Sequence, residues 1–287
     1  MTRAGITAAT QILLVVGVCT FAVAQRSSRK IVARQEGSSE RQVLVVDVSY
    51  NLKAERNGIQ GGGHRSWKVR STRTVTFDAV KKSGRVTKVG ISYGEVTEKS
   101  VDAKAAKTLP VSGKSYRAQI KNGGKAVRSA DGKPVPVAEL SRVTADLQEL
   151  GTITPLQRLL WEKRKHSRFT AGHTAAATFF GFSGDKRLQI RQIEWTAAPS
   201  RTIAGQRQLV FETRVQVSTL QDGFVMPVEL NGKLACTADS CLPVSWELSG
   251  DLLFETAGTV AGAQIEARAT GRVSLRREHT TTPATRQ

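Results

Sequence analysis

Apolar and polar residues alternate with period two through most of this chain. Over 43–52 one face reads Leu44, Val46, Val48, Tyr50 and Leu52. Over 66–78 it reads Trp67, Val69, Val75 and Phe77, with Lys68, Arg70, Thr72, Thr74 and Thr76 opposite. Val89, Ile91 and Tyr93 continue the pattern over 85–94. Such alternation, with one wet face, predicts half-buried strands of antiparallel sheet. Lys81-Lys82-Ser83-Gly84 reads as a hairpin turn, and Asn122-Gly123-Gly124 joins 115–121 to 125–129 as a second. Asp131-Gly132-Lys133 is a further turn, and Asn57 to Gly63 (NGIQGGG) reads as a flexible loop.

The period then changes. Leu140, Val143, Leu147 and Leu150 step by three and four, which predicts an amphipathic helix over 137–150. Pro136 suits its first turn and Gly151 its C-terminal stop. Thr154-Pro155 opens a second helix, 155–166, with Leu156, Leu159 and Leu160 as its stripe and a basic end, Lys163-Arg164-Lys165-His166, at the negative pole of the helix dipole. Alternation resumes with Leu188 and Ile190, then slips by one to Ile193 and Trp195, predicting a bulge near Arg191. Further faces run through Leu209 to Val217, Phe224 to Leu230, Val244 to Phe254 (bending at Gly250) and Ile265 to Leu275.

The predicted fold class is mainly β (α+β): antiparallel sheet in two halves with a central helix pair, about 137–166. Both two joined β halves and one curved sheet wrapped on the helices satisfy this pattern. The boundaries are 1–24 leader, 25–41 mobile basic arm, 42–135 N-terminal β half, 136–167 helical segment, 168–276 C-terminal β half and 277–287 polar tail.

The leader changes how the rest is read. Arg3 is its only charge, Ile12 to Ala24 is apolar, and Ala22-Val23-Ala24 is a small-x-small cleavage pattern before Gln25. This predicts export to the periplasm or beyond. The rival is a retained anchor over 4–24, favoured by the cations Arg26, Arg29, Lys30 and Arg34 that follow. A lipoprotein is disfavoured because Val18 precedes Cys19. Of the cysteines, Cys236 and Cys241 remain after cleavage, spaced across Thr-Ala-Asp-Ser, and in an oxidising compartment they are predicted to pair as a disulfide.

The net charge is +19, and it is uneven: residues 25–150 carry +13 and residues 151–287 carry +5. Such a charge either keeps an exported protein soluble or attracts anionic envelope components or lipid. Nucleic acid is disfavoured, because aromatics are 6% of the chain and do not interleave with the basic clusters. Two sequence features bear on binding: Trp161, Lys163, Arg164, Lys165 and Arg168 read either as an anionic-surface contact or as a core tryptophan with a solvated basic edge, and the apolar patch Ala175 to Phe182 reads either as an ordinary buried strand or as the lining of a greasy cavity.

No catalytic, cofactor or metal-binding residue is assigned, and the chain is read as non-enzymatic. Gly181-Phe182-Ser183-Gly184-Asp185 lacks the final glycine of a nucleophile elbow. His64 falls in the glycine-rich loop, His279 in the tail, and His166 and His173 keep no zinc-site spacing. Gly61-Gly62-Gly63 lacks the Lys-Ser/Thr of a phosphate loop.

The segment LPVSGKSYRAQIKNGGKAVRSADGKPVPVAEL (109–140), followed by TPLQRLL and FTAGH, resembles uncharacterised exported proteins of Gram-negative bacteria. The resemblance implies a β-rich periplasmic or surface protein and brings no active site with it. The reading that results is an exported protein binding an envelope component or partner. The alternative is a periplasmic carrier of lipid or another apolar ligand, and an uncharacterised hydrolase ranks behind both.

Overall fold

The computed structural model describes residues 34–99, 103–147, 150–151, 155–172, 188–221, 224–260 and 263–284. The leader, the arm up to residue 33, the apolar patch, Ser183 and His173 lie outside them. Residues Ile31–Gln287 form one compact unit.

Six strands precede the helices: β1 (Ser39–Arg56), β2 (Ile59–Val80), β3 (Val86–Lys99), β4 (Lys107–Thr108), β5 (Ser115–Lys121) and β6 (Gly124–Ser129). Helices α1 (Val137–Asp146) and α2 (Pro155–Lys163) follow. The remaining strands are β7 (Arg168–Gly172), β8 (Leu188–Ile203), β9 (Gln206–Gln221), β10 (Phe224–Thr237), β11 (Pro243–Val260) and β12 (Ala263–Thr282). Among the described residues these strands make one antiparallel sheet, not a closed barrel, in the order β6-β5-β3-β2-β1-β12-β11-β10-β9-β8-β7, with β4 beside β3. The two predicted meanders therefore share one sheet, and the β1–β12 pairing (Ser39↔Thr282 through Arg56↔Ile265) is their junction.

The alternating apolar positions supply one buried face. Val46, Val48, Tyr50, Trp67, Trp195, Phe211, Leu230, Trp246 and Leu252 join Leu156 and Leu160 of α2 in a large core. Phe169 stacks on Trp195 with ring centroids 4.8 Å apart. A second, smaller core packs Val75, Phe77, Ile91, Tyr93 and Tyr116 against Val143 of α1 and against Leu147 and Leu150. Each helix thus serves one core, which explains why the helical stripe recurs in both.

The predicted bulge is present: β8 shifts register against β9 between Ile190 and Gln192. Gly250 lies inside β11 rather than at a bend. A Cβ there would sit 1.9 Å from the Glu229 carbonyl oxygen, so close strand approach excludes any side chain. Asn57 to Gly63 is not a loop. Asn57 and Gly58 take positive φ (50° and 80°) in a two-residue hairpin turn, and residues 59–63 continue as β2, carrying His64 with them. The Asn-Gly signal outweighs the three glycines that follow it.

Helix α1 ends at Asp146, earlier than the predicted 150, and Leu140 is exposed. Gly151 still needs to be glycine. Its φ is +88°, and a Cβ would meet Ile120 Cδ1 at 2.9 Å. Helix α2 ends at Lys163. The expected arm and tail are shorter than predicted, because Arg34, Ser38 and Glu40 are buried at one end and Arg277 and His279 at the other. Strand β12 runs on to Thr282 because β1 offers it a partner that far.

Candidate anion-binding cleft and the buried polar seam

On the inner face, between the two cores, lies a row of buried polar side chains. Glu40 receives Nε and Nη2 of Arg34 at 3.2 and 3.1 Å, Nε2 of Gln42 at 2.9 Å, and Nδ1–H of His279. Gln42 Oε1 in turn accepts from Arg73 Nε at 2.8 Å and Arg277 Nη2 at 2.7 Å. Arg73 reaches on to Asp146 at 2.6 Å, and Asp146 also accepts from Arg142 (3.0 Å) and the Tyr93 hydroxyl (2.9 Å). The Arg277 guanidinium lies over the Trp246 ring at 5.0 Å and that of Arg34 over Phe77 at 4.9 Å.

The charges hold one another. Burial acts to raise the Glu40 carboxyl, but Arg34, His279 and Arg277 outweigh it and hold it well below the usual carboxylate range. Burial likewise opposes ionisation of Asp146, and Arg73 and Arg142 override it. Asp146 closes α1 at the pole that repels a carboxylate, so these cations also answer the helix dipole. The same burial, with Asp146 alongside, pushes the Tyr93 phenol far up.

The outer face of the β3–β5–β6 edge is built differently. Cross-strand register sets Gly90, Arg117 and Arg128 in one row, and Lys88, Gln119 and Ala126 in the next. Arg117 and Arg128 are directly opposite, an arrangement that like charges disfavour. Lys88, Arg117, Gln119, Ala126 and Arg128, with the hairpin turn after β6, line a cleft of about 340 Å³. Among the described residues no carboxylate pairs with Lys88 or Arg117, and Arg128 donates to the Gly132 carbonyl at 3.1 Å. The cleft's one acid, Asp131, is engaged elsewhere. The Ser129 hydroxyl and the Lys133 ammonium hold it down at about 2, and Lys133 pairs with it at 3.0 Å.

The patch predicted around Trp161 is only partly brought together. Arg164 lies 3.8 Å over the Trp161 ring and donates to the Trp161 carbonyl, while the ring packs against the large core. Arg168 pairs with Glu194 at 3.1 Å on β8. Lys165 is exposed and Lys163 half-buried. Cys236 and Cys241, predicted to bridge, are both buried and carry free thiols. A hydrogen bond between the two sulfurs, together with burial, pushes the Cys236 thiol up. Among the described residues no group of three His, Cys, Asp or Glu side chains is placed to hold a metal ion, and no helix is long and apolar enough to cross a membrane.

Sequence reasoning missed both the seam and the cleft. The seam was signalled by parity: Glu40 and Gln42 continue the face of Leu44, and Arg277 and His279 that of Leu275. The cleft was signalled by the Asn122-Gly123 turn, which fixes Arg117 opposite Arg128.

No family model matches the chain, and no relative is found among curated proteins. Among solved structures it is similar to a DUF1329 family protein from Desulfovibrio piger, at 8% identity over 82% of this chain and 83% of that one, with a TM-score of 0.11. At that score no fold or role is carried across.

Proposed function

We propose that this chain is an exported, non-catalytic binding protein that presents a cationic cleft to an anionic component of the cell envelope. One observation carries the reading: Arg117 and Arg128 face each other across a strand pair beside Lys88, and no carboxylate pairs with Lys88 or Arg117 among the described residues. Like-charge neighbours cost stability in the empty protein, and an anion between them turns that cost into affinity. The leader pattern at 1–24 supports export, and the excess of cations over 25–150 supports steering toward an anionic surface.

Heparin retention of the purified chain tests the binding. Retention should fall steeply with salt, and the double variant Arg117→Gln/Arg128→Gln should elute far earlier than the parent. Retention indifferent to both salt and the substitutions refutes the cleft as an anion site.

A further inference from the structure

We propose that the cleft's ligand is a phosphomonoester, a terminal phosphate dianion on a compact polar body. The proposal rests on the anion-binding reading above and adds the class of anion.

Charge count comes first. The lining side chains are three cations and one carboxylate, Asp131, for a net +2. A phosphomonoester carries about −1.5 to −2 at pH 7, whereas a diester or a carboxylate carries one charge. Donor geometry points the same way. Arg117 and Arg128, neighbours across the strand pair, bring two guanidinium groups suited to the oxygens of a tetrahedral dianion into one cleft, Arg128 keeping Nη1 on the Gly132 carbonyl, with Lys88 as a point charge.

Ala126 on the edge strand keeps one wall of the cleft small. At about 340 Å³ the cleft takes one compact headgroup rather than a length of polymer. Elsewhere on the exposed surface Lys68 pairs with Asp47, Arg276 with Glu278 and Arg214 with Glu229, so these cations are engaged within the protein.

Two sources share this chemistry, a soluble sugar phosphate and a lipid headgroup ending in a phosphomonoester. The full chain is titrated with glucose 1-phosphate, and separately with phosphatidylcholine vesicles containing phosphatidic acid or, as the diester control, phosphatidylglycerol. Saturable binding of glucose 1-phosphate or selective binding of phosphatidic acid supports the proposal and tells which source is used. Arg117→Gln or Arg128→Gln, with a melting temperature that does not fall, should weaken that binding at least tenfold. The binding should also weaken as pH falls from 7.5 to 5, because the dianion takes up a proton near pH 6 while the cations keep theirs. Heparin or phosphatidylglycerol bound through Arg117 and Arg128, with neither phosphomonoester bound, overturns the ligand class and leaves the anion cleft standing. Failure of every anionic probe, heparin included, overturns both.

Discussion

The seam and the cleft use the same side chains to opposite ends. In the seam Arg34, Arg73, Arg142, Arg277 and His279 surround two carboxylates, Glu40 and Asp146, and the groups described make hydrogen bonds or stack on rings. In the cleft Arg117 and Arg128 lie opposite each other across the strand pair, no carboxylate among the described residues pairs with Arg117, and the nearby acid is taken by Ser129 and Lys133. A buried charge cannot stand without partners, so the seam is complete within the fold. An exposed charge can wait for a partner from solution, because water screens it meanwhile. The difference separates cations that hold the two halves together from cations that are displayed.

The sharpest way to break the comparison is to empty the seam. Glu40→Ala leaves Arg34, Arg277 and His279 around a buried site with no anion, and should cost about 3–5 kcal/mol in urea unfolding. A loss under about 1 kcal/mol would mean that the seam is no more than a wet surface cluster. A smaller effect should come from acid. Glu40 and Asp146 both titrate below their ordinary values, about 4.3 and 3.9, when the chain is folded. Between those ordinary values and the depressed ones the unfolded chain binds more protons, so the stabilisation is whole above about pH 5 and drains away as pH falls. The urea midpoint should drop between pH 5 and pH 3, and Glu40→Gln should flatten part of that drop. A midpoint that rises on acidification contradicts the assigned direction.

How far the sequence could be read follows the same division. Alternation located the strands that build both cores, because each apolar residue reports its own burial. The single slip at Ile190–Ile193 was enough to place a bulge, since period two leaves no other way to keep Trp195 inside. The seam stayed hidden because a buried arginine is recognisable only through its partner. Gln42 meets Arg73 across 31 residues and Arg277 across 235, and only the β1–β12 and β1–β2 registers bring them together. Ser71 and Arg73 were the gap in the apolar face of β2, and that gap was the seam crossing it. Polarity alone makes 25–41 read as a mobile arm and 277–287 as a polar tail, although the charges at their inner ends are what the seam consumes. The cleft was hidden for the opposite reason: exposed cations are ordinary, and only their cross-strand alignment marks these two.

The smallest effect sharpens the comparison most. Arg117→Thr removes one of two opposed guanidinium groups and installs a residue that suits a strand. If Arg117 is displayed for a ligand, the substitution relieves repulsion and the empty protein should gain about 0.2–1 kcal/mol while heparin retention falls. If Arg117 were a structural cation like Arg73, the same change would destabilise the chain by more than about 1 kcal/mol, as breaking a buried pair does. Retention alone cannot make this distinction, because any unfolded variant also loses binding. Stability and binding moving in opposite directions is the outcome that only a displayed cation produces, and paired unfolding and retention measurements on one variant read both.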